Sequence, residues 1–285
     1  MHRRSAALIA ALSVLAGAAL LIAGCSTPAA TPTPAPTTPA TTSTAAPAGD
    51  PSLQTIKDKG ELVVGTAPFY APFESTDSKT KQIVGFDVDM VNAIAAKMGV
   101  KATFKGADWQ ALLGGLGKGD FDVIVSCMSK KEAAGNNVTF SDVYYNLPDV
   151  LIVKTGNPGG LSDKASLKGK TVGVQLGSGS EQLADALDKE VGFGKLKKYK
   201  LTQDAMNDLK AGRIDAVIAG LAFAVEQNKV DSSFEIVGEP LATAEIVAVF
   251  PKGADTLSVE FNKGLAAIKA DGTYDALIKK WLTLK

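Results

Sequence analysis

Histidine and arginine are scarce in this sequence of 285 residues, and their scarcity excludes several kinds of chemistry. The one histidine is His2, and after Arg3 and Arg4 the one arginine is Arg213. Beyond the N-terminal segment the chain therefore cannot build a Ser-His-Asp triad, a Cys-His pair or a metal site that needs imidazole. Catalysis of these kinds is excluded, and we expect no cofactor.

The first residues carry the pattern of an export signal. Two arginines precede an apolar run, residues 6–23, which ends in Leu-Ile-Ala-Gly before Cys25. A basic head, an apolar stretch and small residues are typical of a secretory signal over residues 1–24. The residues before Cys25 resemble the lipobox of bacterial and archaeal lipoproteins, which implies that Cys25 is acylated. The alternative is an uncleaved membrane anchor, because the run is just long enough to span a bilayer. Both interpretations place the rest of the chain outside the cytoplasm.

Residues 26–50 contain only Ser, Thr, Pro and Ala apart from Gly49 and Asp50. Such a composition cannot bury a core, so residues 25–52 are predicted to be a lipidated cysteine followed by a disordered tether. If Cys25 is acylated, Cys127 is the one cysteine that remains, and an intrachain disulfide is excluded.

The charge balance of the exported chain gives no support to nucleic-acid binding. From Cys25 onward the chain keeps 28 of the 30 basic residues and all 30 acidic residues, a formal charge of −2. No basic stripe stands out along it, so we expect no nucleic-acid partner.

The part of the chain that follows the predicted tether, about 233 residues, is long for one compact domain but suits two lobes.

Short apolar strands alternate with helical periodicity from residue 61 onward, which predicts parallel β-sheets in an α/β fold. The predicted strands are 61–66, 101–105, 121–126, 171–175, 198–201, 214–219 and 246–250, and the predicted helices are 86–98, 109–116, 181–191, 204–211, 257–269 and 274–282. Two apolar stretches, 150–154 and 246–250, are predicted to cross between two lobes. We therefore expect one lobe over 53–152 and 246–285, and a second over 153–245, with a ligand cleft at the facing strand ends.

Several motifs resemble those of amino-acid-type solute-binding proteins, the extracytoplasmic receptors of ABC importers. In chain order they read GELVVGTAPFYAPFES, VGFDVDMVNAIAAKMG, ADWQALLGGLGKGDFDVIVS, VTFSDVYY, LKGKTVGVQLGSGSE and LKAGRIDAVIAG. The resemblance covers residues 53–285. It implies a hinged two-lobed fold of the periplasmic-binding-protein type, which closes on one small solute as a monomer and docks onto the permease subunits of the importer. A lipid anchor and a tether fit that function independently.

The resemblance also implies candidate binding residues in the first half of the chain. Tyr70 and Trp109 stand where the family stacks its ligand between aromatic rings, although loop packing is the alternative for both. Ser126, Cys127 and Ser129 match the small residues at a strand end that meet the ligand. Cys127 has no histidine to activate it, so a thiol of ordinary pKa lining the cleft is expected rather than a nucleophile.

A glycine- and serine-rich turn supplies further candidates between a predicted strand and a helix. Ser178, Gly179 and Ser180 stand where backbone N–H groups at a helix N-terminus can hold an anion. The alternative is that Ser180 is an ordinary N-cap residue.

The family's pattern breaks at two positions. The arginine that binds the ligand's α-carboxylate in the family aligns with Ala134, and the acidic residue for its α-ammonium aligns with Gly220. Lys131 is a candidate replacement for the arginine, although Lys130 and Lys131 can equally form a solvated turn. Three ligand classes stay open: an anion or modified amino acid held at Lys131, a cationic amine held by the aromatic rings, and an uncharged solute held by hydroxyl and backbone groups.

Two other functions remain open on the same fold. Cyclohexadienyl dehydratases resemble these receptors, and Glu132 or Glu181 could supply the general acid that such an enzyme needs. The missing arginine counts against a carboxylated substrate. A sensory receptor that docks onto a signalling partner instead of a permease is the third possibility.

Overall fold

The computed structural model describes residues 49–283. The predicted export signal, Cys25 and most of the predicted tether lie outside the described residues. None of the helices within 49–283 is long and apolar enough to cross a membrane.

Helices and strands alternate along most of the described chain. The helices are α1 (Ser52–Lys59), α2 (Phe86–Met98), α3 (Leu112–Lys118), α4 (Lys130–Ala133), α5 (Gly179–Val191), α6 (Thr202–Lys210), α7 (Leu221–Val230), α8 (Asp255–Ala270) and α9 (Thr273–Trp281). The strands are β1 (Glu61–Thr66), β2 (Phe69–Tyr70), β3 (Glu74–Thr76), β4 (Ile83–Val84), β5 (Lys101–Gly106), β6 (Val123–Ile124), β7 (Val138–Phe140), β8 (Tyr145–Lys154), β9 (Thr171–Gln175), β10 (Lys195–Tyr199), β11 (Ala216–Gly220), β12 (Phe234–Ile246) and β13 (Val249–Pro251).

Two five-stranded sheets form the two lobes. The sheet of lobe 1 has the order β5-β1-β6-β13-β7, with β1 parallel to both β5 and β6. The sheet of lobe 2 has the order β10-β9-β11-β8-β12, with β9 parallel to β10 and β11. The parallel strands in the middle of each sheet have short apolar sequences, because helices cover both faces of the sheet. A small third sheet, β2-β3-β4, continues from the end of β1 and carries Tyr70.

The first crossing between the lobes lies earlier than the sequence predicted. Residues 150–154 are not a crossing, because the whole of β8 pairs with β11 and β12 in the second sheet. The chain passes between the sheets at residues 141–144, and it returns between Ile246 and Val249. The two connections are hydrogen-bonded to one another: Ser141 N donates to Ala248 O at 3.0 Å, and Tyr144 N donates to Ile246 O at 2.9 Å. The predicted lobe boundary at residues 152/153 falls inside β8.

The C-terminal helices return to lobe 1, as the sequence predicted. Phe261 of α8 is fully buried and packs edge-on against Phe250, with their ring centroids 5.5 Å apart. Helix α8 also lies close against α2, because a Cβ at Gly264 would come within 2.8 Å of Ile94 Cγ2. The glycine therefore sets the distance between the two helices.

Candidate functional site

A cavity lies between the two lobes, at the carboxyl ends of β1 and β6 in lobe 1 and of β9 in lobe 2. Its empty space, including the mouth that opens to solvent, is about 670 Å³. Aromatic, acidic and small polar residues form much of its lining. The lining residues are Ala67, Phe69, Tyr70, Glu74, Trp109, Ser126, Cys127, Ser129, Glu132, Leu147, Asp149, Gln175, Ser178, Gly179, Ser180, Leu201, Thr202, Ile218, Ala244 and Ile246.

The turn after β6 is fixed by two buried carboxyl groups. Ser126 Oγ accepts from Ala67 N at 2.9 Å and donates to Glu74 Oε1 at 3.0 Å. Cys127 has a φ of 48°, in the left-handed region that non-glycine residues rarely adopt. Its N–H donates to Asp87 Oδ2 at 2.7 Å, which holds this unusual backbone in place. Ser126 and Cys127 therefore reach the cavity wall as predicted.

Glu132 joins the two lobes through its carboxylate. In lobe 1 it completes a capping box with Ser129: Ser129 Oγ accepts from Glu132 N at 3.2 Å, and Glu132 Oε2 accepts from Ser129 N. The other carboxylate oxygen, Oε1, accepts from Gly179 N at the start of α5 in lobe 2. A Cβ at Gly179 would lie 3.3 Å from Glu132 Cδ and from Ser129 Oγ, so glycine permits this close approach.

Tyr70 and Trp109 also connect the lobes. Tyr70 Oη accepts from Gly220 N at 3.0 Å, and its ring stacks on Phe223 of α7 with centroids 4.7 Å apart. Trp109 Nε1 donates to Gly177 O at 3.0 Å, so its ring lies across the rim of the cleft. Beside it, Lys200 and Asp108 form a 2.8 Å ion pair between the lobes. Both predicted aromatic residues line the cavity, and each is bonded to the opposite lobe.

The Ser178–Ser180 turn forms the lobe 2 side of the cavity. Ser178 is the N-cap residue of α5, because its side chain accepts from Glu181 N at 3.1 Å. The N-cap is therefore Ser178 and not Ser180. Ser180 Oγ instead donates to Asp149 Oδ1 at 2.7 Å. Asp149 is 6% exposed and, like Glu132, is an acid of the cavity lining that is hydrogen-bonded to this turn.

Two predicted binding residues do not line the cavity. Lys131 is exposed on α4, because the Ser129–Glu132 capping box turns the glutamate, and not the lysine, toward the cleft. Gly220 is buried beneath Tyr70 and Leu147, and a Cβ there would lie 2.6 Å from Leu147 Cδ2 and 2.9 Å from Tyr70 Oη. For Lys131 the sequence left a ligand contact and a solvated turn open, and Gly220 was also a candidate contact; the cavity lining includes neither residue.

Burial in the cleft raises the pKa values of its acids. Burial raises the pKa of Glu132 to about 7, against the lowering effect of its hydrogen bonds to Ser129 and Gly179. Burial also raises the pKa of Asp149, while its bond to Ser180 lowers it. The pKa of Glu74 is raised well above its usual range by burial and by the charge of Asp87, and burial raises the pKa of Asp87 to about 7. Of the two, Glu74 has the higher pKa, so it is the member of the pair that holds a proton at neutral pH.

Burial and the neighbouring carboxylates also raise the pKa of the Cys127 thiol well above its usual range. The expectation of an ordinary pKa for this thiol is therefore wrong. The thiol stays protonated at neutral pH, which does not favour a nucleophile.

The sequence did not assign Glu74 and Asp149 to the site, and it offered Glu132 as the general acid of a possible enzyme. One signal was available for Asp149: it directly precedes the apolar run 150–153 of β8, and an acid at a buried position of a strand is unusual unless it is paired. Glu74 lies within the aromatic motif that pointed to Tyr70. No spacing rule could have shown that Glu132 reaches lobe 2, because Gly179 is 47 residues away in sequence.

Comparison with known protein families places the fold and the cleft in context. The family model described as "Bacterial extracellular solute-binding proteins, family 3" matches residues 62–284. The chain belongs to this family. It is thus an amino-acid-type solute-binding protein of an ABC importer, which captures a small solute for a permease.

Curated relatives of this solute-binding protein have different amino-acid ligands in their names. The arginine-binding extracellular protein ArtP of Bacillus subtilis is 33% identical over 79% of this chain and 87% of its own. The L-cystine-binding protein TcyJ of Escherichia coli K12 is 30% identical over 80% of this chain and 85% of its own.

Solved structures share the two-lobed fold. An ancestral arginine-binding protein bound to arginine superposes with a TM-score of 0.71 and is 39% identical, covering 78% of this chain and 98% of that one. An ancestral amino-acid-binding protein described as a precursor of cyclohexadienyl dehydratase has a TM-score of 0.74 and 31% identity, covering 82% and 100%.

Proposed function

We propose that this solute-binding protein captures a small solute with a positively charged nitrogen group, an amino acid or an amine related to one. The observation that carries the proposal is the charge of the cleft. Glu74, Glu132 and Asp149 line it, and none of the described residues in its lining is Lys, Arg or His. Of the three ligand classes that the sequence left open, the cationic amine fits this lining, and the free anion does not.

The aromatic residues support the same ligand class. Tyr70, Trp109 and the half-exposed Phe69 also line the cavity, and an aromatic ring attracts a cation that lies over its face. A charged nitrogen that leaves water needs such partners, because an unpaired buried charge is costly. Relatives named for arginine and for lysine, arginine and ornithine bind solutes of this charge.

Calorimetric titration of the purified protein tests the proposal. The protein is unfolded and refolded first to remove any ligand from the expression host, and then titrated with L-arginine, L-lysine, L-ornithine, their decarboxylated amines, betaines, L-glutamate and small carboxylates. We expect saturable binding of at least one cationic compound and none of L-glutamate or the carboxylates. Tight binding of an anion with no binding of cations would contradict the proposal.

We further propose that the chain is a binding protein and not an enzyme. A dehydratase needs a general acid that can transfer a proton to its substrate, but both carboxylate oxygens of Glu132 accept from backbone N–H groups. Glu181 does not line the cavity, and its carboxylate is paired with Lys198 at 2.7 Å. Measured turnover of prephenate or arogenate would contradict this.

The location of the protein is also a proposal. We propose that Cys25 is acylated and that residues 26–50 tether the lobes to the outer face of the cell membrane, near the permease. Metabolic labelling with a fatty-acid analogue should mark the wild-type protein and not Cys25→Ala, and the variant should lose the membrane attachment. A labelled Cys25→Ala, or an unlabelled wild type that stays in the membrane, would favour an uncleaved anchor.

A further inference from the structure

The carboxylate of Glu132 occupies a position between the lobes where an anionic group of a ligand would be held. Two backbone N–H groups point into the cleft from opposite sides: Ser129 N from lobe 1 and Gly179 N from lobe 2. Each donates to a different oxygen of Glu132. Both N–H groups therefore already have a hydrogen-bond acceptor, the side chain of Glu132.

No cationic side chain of the described residues lines the cavity to pair with a second carboxylate. Asp149, 6% exposed, is bonded to Ser180, and Glu74, 1% exposed, has its Oε2 atom without a hydrogen bond from any described donor. The nearby Lys131 is exposed and does not line the cavity. A carboxylate placed here would face the carboxyl groups of Glu132 and Asp149, with no lysine, arginine or histidine in the described lining to compensate them, which is unfavourable in a partly desolvated site.

A cationic ligand that has no carboxylate finds favourable partners in the same lining. Its charged nitrogen can donate to Asp149 and to Glu74, its carbon chain can lie against the rings of Tyr70 and Trp109, and Glu132 keeps its two backbone partners. The acidic groups of the cavity then have a cationic partner, and the ligand needs no carboxylate.

We infer that Glu132 replaces the carboxylate of an amino-acid ligand from within the protein, and that the cleft selects amines or guanidines that lack a carboxyl group. The inference rests on the proposed function, because it names the ligand subclass of the same cleft. The alternative is that Glu132 is a displaceable latch, which a ligand carboxylate pushes away from Ser129 N and Gly179 N.

Three matched pairs of compounds separate these possibilities, because the members of each pair differ only in the carboxylate. Agmatine is compared with L-arginine, cadaverine with L-lysine and putrescine with L-ornithine, each titrated calorimetrically into the wild-type protein. We expect the tightest-binding amine to bind at least 100-fold more tightly than its parent amino acid. If the parent amino acid binds equally well or better, the inference is wrong while the proposed function stands. If no cationic compound binds, the proposed function fails and the inference fails with it.

Removing the side chain of Glu132 tests its role directly. In Glu132→Ala the two N–H groups become free, so we expect the affinity for the amine to fall at least tenfold and the affinity for the parent amino acid to rise at least tenfold. Added acetate should restore amine binding to this variant, because it can occupy the position of the missing carboxylate. No change in the preference between amine and amino acid, together with no effect of acetate, would overturn the inference.

Glu181→Ala is the matched control. Glu181 also accepts a backbone N–H bond near the start of α5, from Gly177, but it does not line the cavity. Its loss should leave the preference unchanged. If Glu132→Ala does not fold, Glu132→Gln serves in its place, because an amide has one acceptor oxygen and cannot satisfy both N–H groups. In that variant the preference for the amine should fall at least tenfold, and an unchanged preference would again overturn the inference.

Discussion

At the scale of single residues, the cleft differs from its family's pattern by changes that fit one another. Ala134 takes the place of the arginine, and the acid two residues earlier, Glu132, accepts from both lobes. At Gly220 the space for a side chain is filled by Tyr70 Oη and Leu147. By the family resemblance, each change removes a charged contact to a zwitterion; the lining that the structure shows contains acids and aromatic rings.

The raised pKa of Glu132 predicts how stability depends on pH. Its pKa is about 7 in the folded protein, above its ordinary value of 4.5, so the folded state binds more protons between these two values. Stability should therefore decrease as the pH rises from about 5 to about 8. Asp149, Asp87 and Glu74 shift in the same direction. Acids with lowered pKa values, such as Asp208, affect stability only below about pH 4.

Thermal unfolding of the ligand-free protein between pH 5 and pH 8 checks this. We expect the melting temperature to fall by a few degrees over the range, and Glu132→Gln to reduce the slope. A melting temperature that rises steadily with pH would show that these carboxyls are not desolvated in the folded protein.

Ligand affinity should change with pH in the opposite direction. A cation interacts favourably with ionised Glu132, Asp149 and the Glu74–Asp87 pair, and protonation removes that charge as the pH falls below about 7. We expect the dissociation constant of a cationic ligand to increase about tenfold or more between pH 7.5 and pH 5.5, with proton release on binding at pH 6. Titration in two buffers of different ionisation enthalpy measures that release, and its absence would mean that the ligand lies away from these acids.

A methyl group at position 220 should be unfavourable. Gly220→Ala would place a Cβ 2.6 Å from Leu147 Cδ2, and Leu147 is itself buried. We expect a loss of about 1–3 kcal/mol in the free energy of unfolding. A Cβ at Gly114 in α3 would meet no atom of another element within 4 Å, so Gly114→Ala should stabilise the protein by about 0.5–1 kcal/mol. Urea denaturation of both variants measures the difference, and a neutral Gly220→Ala would show that Leu147 can move aside at no cost.

At the scale of elements, helix α8 brings the chain back to lobe 1 and packs against that lobe through one of its faces. Phe261 is fully buried, whereas Val259, two residues before it, is 54% exposed. This contrast follows from helical periodicity, since residues two apart point to opposite sides of a helix.

Truncating the two side chains should have very different effects. Phe261→Ala removes a ring packed against Phe250 and should cost about 3–5 kcal/mol of stability. Val259→Ala removes an exposed side chain and should change the free energy of unfolding by less than about 0.5 kcal/mol. Equal effects in a urea titration would mean that α8 does not pack on lobe 1 as described.

At the scale of the whole molecule, the lobes are joined by several polar contacts across the cleft. Trp109 to Gly177, Tyr70 to Gly220 and Glu132 to Gly179 all pair a residue of lobe 1 with one of lobe 2. The connections between the lobes are the two hydrogen-bonded segments at 141–144 and 246–249. Two short adjacent segments are the arrangement expected of a hinge.

Closure around a ligand should be visible in solution. The chain has two tryptophans, and only Trp109 lies in the cleft, since Trp281 is at the end of α9. We expect a saturating ligand to reduce the radius of gyration in X-ray scattering and to change the tryptophan fluorescence. Trp281→Phe should keep the fluorescence change and Trp109→Phe should lose it. Identical scattering profiles with and without ligand would contradict a closing mechanism.

The sequence by itself determined the fold class, the family and most of the wall of the cleft. Short apolar strands alternating with amphipathic helices are local patterns, and the motifs around Tyr70, Trp109 and Ser126 lie within single turns or strand ends, so both can be read without coordinates. Even there a local pattern left a choice open: Ser178, and not Ser180, caps α5, because only the backbone geometry selects the capping side chain.

Only the tertiary structure decided how the cleft is charged. The side chain of Glu132 reaches Gly179 across 47 residues of sequence, and Tyr70 reaches Gly220 across 150. Sequence periodicity gives the face of an element but not its partner in another lobe. The family pattern therefore offered Lys131 as a candidate at the ligand, with a solvated turn as the alternative, and gave no reason to place Glu132 there. The charge of the site is a property of the closed arrangement, because it depends on which side chains two separate lobes bring within hydrogen-bonding distance.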